Sequence, residues 1–326
     1  MNSDTSTFSG PLFLVGMPRS GTKLLRELLN GHPQIGIVEQ ETAFLPFLLK
    51  KWQGKTLSEA DRQDIYQDLK ATNFFWNQQR FHGRAMSNPP WQSLDDSYLI
   101  ENLLEDVFRF YAPKKGDFIW GDKTPGYLRH IPLLKHHWPE AKFIHIIRDP
   151  RDLCLSVNRA WRKSRRMAVH RWAQSVEKAR RDGKAMGENY IEILYERLLQ
   201  SPEQELERLC RFLDLPFNQD MVELSKPSED LGETKGKSEI VRQNAGKYRR
   251  RIPTNMLTRL EAIAYPQLKA LGYPIEHAAC PKPLSTPMRW ALWFHDKCFA
   301  ARFHILDKGL VAGLRYAFRL QRHSPW

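Results

Sequence analysis

Apolar runs at residues 11–15, 141–147 and 190–195 predict three strands. The first has no polar alternation, which predicts burial on both faces, and the second is also predicted to be buried. Each run precedes a segment in which the apolar residues recur with helical spacing. These segments are residues 23–30, 153–161 and 202–213. Strands that alternate with helices in this way are connected by βαβ crossovers. The pattern therefore predicts an α/β fold with a mostly parallel sheet flanked by helices.

The segment between the first two runs has mainly helical character and predicts a helical insertion over residues 44–118, with 58–71 and 94–111 as its clearest helices. An aromatic cluster lies within it, and ordinary core packing is the favoured interpretation of each member: Phe74, Phe75, Trp76 and Trp91. Insertions over the carboxyl edge of a sheet also tend to form ligand walls.

The ends of the chain differ in character from its middle. Residues 1–10 are polar and predict a flexible N-terminus, and residues 11–280 predict one α/β domain that includes a long polar loop at 226–247. After several prolines, residues 281–326 interleave aromatic with basic side chains. This pattern predicts a C-terminal helical extension that lies on an acidic membrane surface, packs on the body of the protein or forms a dimer contact.

The composition is that of a globular protein in a reducing compartment. The 326 residues are 41% hydrophobic, no run of about 20 apolar residues is present, and residues 1–10 lack the pattern of a signal peptide. Four cysteines stand far apart without a CxxC pair, which argues against a disulfide framework or a thiolate zinc site. We therefore expect a cytoplasmic location. The net charge of +13 favours anionic partners, such as nucleotides, acidic lipids or nucleic acid.

The loop at residues 16–22 follows the first strand and precedes the first helix, which is the arrangement of a phosphate-binding loop. It departs from the Walker A motif because the lysine, Lys23, comes one place late and Leu24 replaces the hydroxyl that binds magnesium. The second strand ends in Arg148 where a kinase would place a metal-binding aspartate. A P-loop kinase is therefore the alternative, and a P-loop-like site without a metal is favoured.

Three segments resemble the PAPS-dependent sulfotransferases (PAPS, 3′-phosphoadenosine 5′-phosphosulfate). The run 15–22 followed by Leu24 and Leu25 resembles their 5′-phosphosulfate loop, and 143–152 resembles their 3′-phosphate element. The segment 194–202 resembles a later one whose tyrosine lies near the adenine. The resemblance covers about residues 11–272 and is closest to the bacterial and tyrosylprotein branch, since His32-Pro33 and Glu41-Thr42 stand where that branch has such pairs.

The resemblance implies a set of nucleotide-binding residues. Around the 5′-phosphate these are Pro18, Arg19, Ser20, Gly21, Thr22 and Lys23, although the family usually has Thr or Ser where Lys23 stands. Arg148 and Ser156 have the family's eight-residue spacing for the 3′-phosphate, and Tyr195 lies at the adenine position. In the polar loop and just after it, Ser238, Lys247 and Arg249 resemble the segment that folds over the 3′-phosphate. A solvated basic surface remains the other interpretation of the arginines at 249–251.

The resemblance implies transfer of a sulfuryl group from PAPS to an acceptor, with 3′,5′-ADP as product. Negative charge then grows on the leaving phosphate, where a cation lowers the barrier most. Arg19 and Lys123 are the candidate cations, and Glu41 is the candidate base that takes the acceptor's proton. Glu39 stays open as the base because the spacing from His32 is one residue longer than usual, and His32 and His130 are weaker options. No histidine or cysteine spacing suggests a metal.

The acceptor and the assembly are not specified by these motifs. A small molecule, a lipid or a glycan could each present the nucleophile, and the oligomeric state stays open. Nucleic acid is not expected as a partner, and the non-enzymatic alternative is a basic protein that binds an acidic membrane or nucleic acid through its C-terminal extension. The basic aromatic extension at 281–326 would favour a lipid or membrane-bound glycan and a place at the inner face of the membrane.

Overall fold

A parallel sheet of five strands forms the centre of the computed structural model, which describes residues 8–83, 98–228 and 233–309. The order across the sheet is β2-β3-β1-β4-β5, with all pairs parallel. The strands are β1 Leu12–Gly16, β2 Ile35–Ile37, β3 Ile119–Asp122, β4 Lys142–Ile147 and β5 Tyr190–Leu194. The predicted α/β fold with a parallel sheet is confirmed, and the carboxyl ends of all the strands lie at one edge, where such folds bind ligands.

Helices connect and cover the strands. Helix α1 (Thr22–Asn30) follows β1, and the insertion between β2 and β3 contains α2 Leu45–Trp52, α3 Glu59–Lys70, α4 Asn73–His82 and α5 Ile100–Tyr111. The other α-helices of the described residues are α6 Ile131–His137, α7 Pro150–Trp161, α8 Arg165–Lys184, α9 Tyr195–Gln200, α10 Pro202–Phe212, α11 Tyr248–Arg251, α12 Thr254–Ala270 and α13 Thr286–Lys308.

Alternate side chains of the central strands enter two cores, one on each face of the sheet. Phe13 and Val15 pack with the insertion helices, α8 and α12, whereas Leu12 and Leu14 pack with α1, α9 and α10. All four are fully buried. Burial of both faces explains why β1 has no polar alternation and holds the loop after it in a fixed position.

The prediction that β4 is the second strand is wrong, because β2 and β3 precede it. Each is too short for a clear pattern, at three and four residues, and β3 ends in Gly121 and Asp122, which are rare in strands. The packing interpretation of Phe74 and Phe75 is confirmed, since both are buried, while Trp76 is 51% exposed. Residues 1–7, 84–97 and 310–326 lie outside the described residues, so Trp91, the start of the 94–111 helix and the end of the extension are not described.

Within the described ranges, no helix is both long and apolar enough to cross a bilayer.

Candidate functional site

The loop between β1 and α1 has the backbone geometry of an anion site. Arg19 and Gly21 both have left-handed backbone angles, with φ of 73° and 93°, and α1 begins at Thr22 without a side-chain cap. The first amides of α1 therefore have no intrahelical acceptor, and the helix dipole favours an anion there. A Cβ at Gly21 would lie 2.4 Å from the ring of Tyr195, so this close approach requires glycine.

Arg148, at the end of β4, ties this loop to two other segments. Its guanidinium donates to the carbonyl of Arg19 at 3.0 Å and to the carbonyl of Asn244 at 2.8 Å, and it lies 4.5 Å from the centre of the Tyr195 ring. Arg19 Nε donates to Ser156 Oγ, on α7, at 3.1 Å. The residues predicted to hold the 5′-phosphate and those predicted to hold the 3′-phosphate therefore lie side by side.

Asp152, in the first turn of α7, holds the end of the polar loop against this corner. Its carboxylate accepts from the amides of Gly246 and Tyr248, at 2.5 and 2.8 Å. Burial raises the pKa of Asp152. Asn244 completes the attachment by donating to the hydroxyl of Tyr195 at 2.7 Å. The loop is thus held over Arg148 by bonds to α7 and α9.

These segments enclose a cavity with about 540 Å³ of empty space, part of it open to solvent. Its lining is rich in cations and comes from four separate parts of the chain: Arg19, Gly21, Arg148, Asp152, Leu155, Ser156, Arg159, Tyr195, Glu233, Thr234, Asn244, Lys247 and Arg251. Two polar atoms of these segments are of interest, one on the residue between Arg19 and Gly21 and one on Arg148 itself. Ser20 Oγ and Arg148 Nε are buried and have no hydrogen-bond partner among the described residues. Buried donors of this kind fit a phosphate ligand.

A buried lysine and a half-exposed glutamate form a second group. Lys123 follows β3 and is 1% exposed, and its ammonium lies 2.7 Å from the carboxylate of Glu41, which is 50% exposed. Burial lowers the pKa of Lys123, and the Glu41 charge partly opposes this shift. Glu39, by contrast, directs its carboxylate to Lys226, and its carbonyl accepts from Arg26.

The residue after Glu41 anchors this part of the chain to the end of β3. Thr42 Oγ1 donates to Asp122 Oδ2 at 2.7 Å and contacts the hydroxyl of Tyr127 at 2.7 Å, while the Thr42 amide donates to Thr124 Oγ1 at 3.0 Å. Asp122 is fully buried, and burial raises its pKa to about 7. This network sets the position from which Glu41 projects.

Several predicted site residues do not line the cavity. Ser238 is exposed on the polar loop, and Arg249 pairs with Glu276 at 2.9 Å on the surface. Pro18 and Lys23 are partly exposed near the start of α1, and the Lys23 charge contributes to lowering the pKa of Lys123. Thr22 is buried at the start of α1.

The histidines that the sequence left open as bases have other surroundings. The ring of His32 is buried, and its Nε2 lies 2.9 Å from the Pro216 carbonyl. Burial lowers the pKa of His32 and of His130. Within the part of the chain that the structure describes, no cluster of three or more His, Cys, Asp or Glu could hold a metal ion. The expectation of a site without metal stays a prediction.

Sequence reasoning missed several residues of the cavity: Asp152, Arg159, Glu233, Asn244 and Arg251. Arg251 had a signal as part of the arginine run at 249–251, and Asp152 lies in the segment 143–152 that resembles the family's 3′-phosphate element. Arg159 lies three residues after Ser156, so helical spacing on α7 could have placed it on the same side of the helix. No sequence pattern marks Glu233.

Comparisons with known proteins identify the family of this chain. The model of the sulfotransferase family matches residues 11–219. Protein-tyrosine sulfotransferase A of Caenorhabditis elegans is 24% identical over 80% of this chain and 67% of its own length. The Drosophila melanogaster protein-tyrosine sulfotransferase is 24% identical over 86% of this chain and 54% of its own.

A solved structure shows a similar fold. The sulfotransferase domain from the curacin biosynthetic pathway matches 83% of this chain and 100% of its own with a TM-score of 0.55, at 20% identity. The family match covers more than half of the chain, including the β1 loop, β3 and the end of β4. The chain belongs to the sulfotransferase family.

Proposed function

We propose that this sulfotransferase takes PAPS as donor and transfers its sulfuryl group to a hydroxyl or amine of a small-molecule, lipid or glycan acceptor, releasing 3′,5′-ADP. The observation that carries the proposal is the contact between the Arg19 loop and Arg148, with both lining one cavity. An anion site at the start of a helix and a separate cluster of cations, joined in this way, suit a nucleotide with phosphates at both ends of its ribose.

In this proposal, the ends of β1 and β4 divide the recognition of the nucleotide. Ser20, Gly21 and Thr22 cradle the 5′-phosphate through the loop and the start of α1, while Arg148 and Ser156 bind the 3′-phosphate. Tyr195 lies against Arg148 and would flank the adenine.

Transfer breaks the bond between sulfur and the bridging phosphate oxygen and forms a bond between sulfur and the acceptor atom. Arg19 and Lys123 would stabilise the negative charge that develops on the leaving phosphate, where a cation is most effective. Lys123 is buried beside a carboxylate, so its ammonium is held in one place. The acceptor's proton goes to Glu41.

Glu41 is the better candidate base because half of its side chain is exposed and its carboxylate contacts Lys123. Glu39 is bonded to Lys226 instead. A base placed beside the cation of the leaving group can act on an acceptor that attacks in line.

Helix α13 adds a proposed contact with an acidic membrane surface. Trp290 and Phe294 are about two-thirds exposed (65% and 66%) and lie one helical turn apart. Asp296 is buried against the amide of Ser164, at 2.7 Å, while the basic side chain of Arg302 is exposed. The surface of α13 therefore combines aromatic with positive groups, which complements anionic lipid.

Labelled PAPS tests the proposed reaction. The purified protein is incubated with the labelled donor and a metabolite and lipid extract, and sulfated products are sought by mass spectrometry. We expect a labelled product, and we expect Glu41→Gln to lower its rate of formation by about 100-fold or more, as is typical for loss of a general base. The affinity of that variant for 3′,5′-ADP, measured separately, shows whether the loss of rate arises from nucleotide binding or from the transfer step.

Glu39→Gln is the matched control and should keep the rate within about fivefold. A wild-type rate in Glu41→Gln would remove Glu41 as the base. Magnesium-dependent turnover of ATP without sulfuryl transfer would support the P-loop kinase and contradict the proposal.

A further inference from the structure

Three cations converge on one carboxylate at the wall of the nucleotide cavity. Arg159 of α7 lies 2.5 Å from Glu233 Oε1, Lys247 lies 2.5 Å from Glu233 Oε2, and Arg251 of α11 also bonds to Oε1. All four residues line the cavity that contains Arg148 and Ser156. One acidic side chain therefore holds cations from separate parts of the chain together.

This carboxylate differs from the other one in the lining. The Asp152 carboxylate accepts hydrogen bonds from two backbone amides and holds the end of the polar loop in place. Glu233 contacts only side-chain cations in the bonds described, and 28% of its side chain is exposed. The hydrogen bonds from Arg251 and Lys247 lower the pKa of Glu233 to about 2, so it stays an anion at neutral pH.

A carboxylate and a phosphate make the same kind of bond to these donors. Both accept charge-assisted hydrogen bonds from guanidinium and ammonium groups, but a phosphomonoester carries up to two negative charges and three acceptor oxygens. A phosphate that enters this part of the cavity must therefore share the three cations with Glu233 or displace it. The cost of that displacement is subtracted from the affinity for the phosphate.

We propose that Glu233 is a resident competitor for the 3′-phosphate of the nucleotide and holds Arg159, Lys247 and Arg251 until that phosphate replaces it. This inference rests on the proposed function, because it requires a nucleotide with a 3′-phosphate in the cavity. Glu233 weakens the binding of 3′,5′-ADP and speeds its release. A nucleotide that lacks the 3′-phosphate, such as 5′-AMP, leaves Glu233 in place.

Calorimetry with 3′,5′-ADP and 5′-AMP tests the competition. Glu233→Gln keeps the size of the side chain and removes its charge. We expect it to bind 3′,5′-ADP about tenfold more tightly than the wild type, with the affinity for 5′-AMP within about twofold. The dissociation rate of 3′,5′-ADP should fall in parallel. Glu239→Gln, an exposed position on the same loop, makes the same change of charge and should leave both affinities within about twofold.

Either of two results would overturn the inference. Unchanged affinity for 3′,5′-ADP would show that the phosphate does not meet Glu233, and weaker binding would show that Glu233 organises the cations rather than competing for them. Glu233→Ala removes the whole carboxylate and should also bind 3′,5′-ADP more tightly than the wild type. A wild-type protein that binds 3′,5′-ADP no better than 5′-AMP would instead contradict the proposed function itself, so the two failures are distinguishable.

Discussion

Single residues at the strand ends combine burial with charge, and Asp122 is the clearest example. It is fully buried beside Lys123, Glu41 and Tyr127, and its raised pKa of about 7 compares with 3.8 for an ordinary aspartate. The folded protein therefore holds a proton on Asp122 at a pH where the unfolded chain has lost it. The stability from this proton is fully present below pH 3.8 and is lost as the pH rises through 7.

Asp122→Asn tests this linkage. The variant cannot titrate at this position. Between pH 5 and pH 8 its free energy of unfolding should therefore fall less than that of the wild type, and the difference between the two decreases should be about 1–3 kcal/mol. Urea unfolding at the two pH values measures the difference. Asp117→Asn, at an exposed position, is the control and should follow the wild type. An unchanged pH dependence in Asp122→Asn would show that the carboxyl group is ionised in the folded protein.

The sequence indicated some residues of the site and missed others for a physical reason. The spacing of Arg148 and Ser156 along one strand end and helix is local, so the pattern brings both to the cavity. The arginine run at 249–251 is different, because each step along a helix turns the side chain by about 100°. The sequence could not show that Arg251 faces the cavity while Arg249 pairs with Glu276 outside it.

Among the elements, the β1 loop and α1 depend on one glycine. Gly21 has a φ of 93°, and a Cβ at this position would lie 2.4 Å from the ring of Tyr195. Gly21→Ala should therefore displace Tyr195, weaken the binding of 3′,5′-ADP by at least about tenfold and lower the free energy of unfolding by about 2–4 kcal/mol.

Gly54→Ala separates the effect of the left-handed backbone from the effect of the contact with Tyr195. Gly54 has a φ of 66°, but no atom lies within 4 Å of the position of its Cβ. We expect its free energy of unfolding to fall by only about 1–2 kcal/mol, which is the cost of the left-handed backbone. It should bind the nucleotide like the wild type. Equal losses of stability in both variants, with nucleotide binding intact in Gly21→Ala, would show that Tyr195 accommodates the added methyl group.

Whether an element could be predicted depended on its length. Strands β1, β4 and β5 have five or six residues and gave clear apolar runs, whereas β2 and β3 have three and four. The pairing of β3 beside β1 brings Lys123 to the edge of the sheet where Arg19 lies, and no local pattern encodes this long-range contact. The resemblance supplied Lys123 where periodicity could not.

At the scale of the whole molecule, the cavity is assembled from four separated parts of the chain, and α13 lies outside the segment that the family model matches. Its exposed aromatic residues lead to a prediction about membranes. The wild type should bind vesicles that contain an anionic phospholipid and should not bind vesicles of phosphatidylcholine alone. The double change Trp290→Ser and Phe294→Ser should weaken this binding at least about tenfold in a sedimentation assay.

Phe47→Ser removes an aromatic side chain of similar exposure, 53%, from α2 and is the matched control. It should bind acidic vesicles like the wild type. Failure of the wild type to bind acidic vesicles, or equal binding by the double variant, would contradict a membrane contact through α13.

Recognition of a nucleotide at both of its phosphates is the claim on which the proposed reaction depends, and calorimetry with 3′,5′-ADP and 5′-AMP tests it most directly. The account predicts that the wild type binds 3′,5′-ADP at least about tenfold more tightly, that Arg148→Gln loses this preference, and that the variant's remaining affinity for 5′-AMP shows it to be folded. Equal affinity of the wild type for the two nucleotides, or an undiminished preference in Arg148→Gln, would contradict the account.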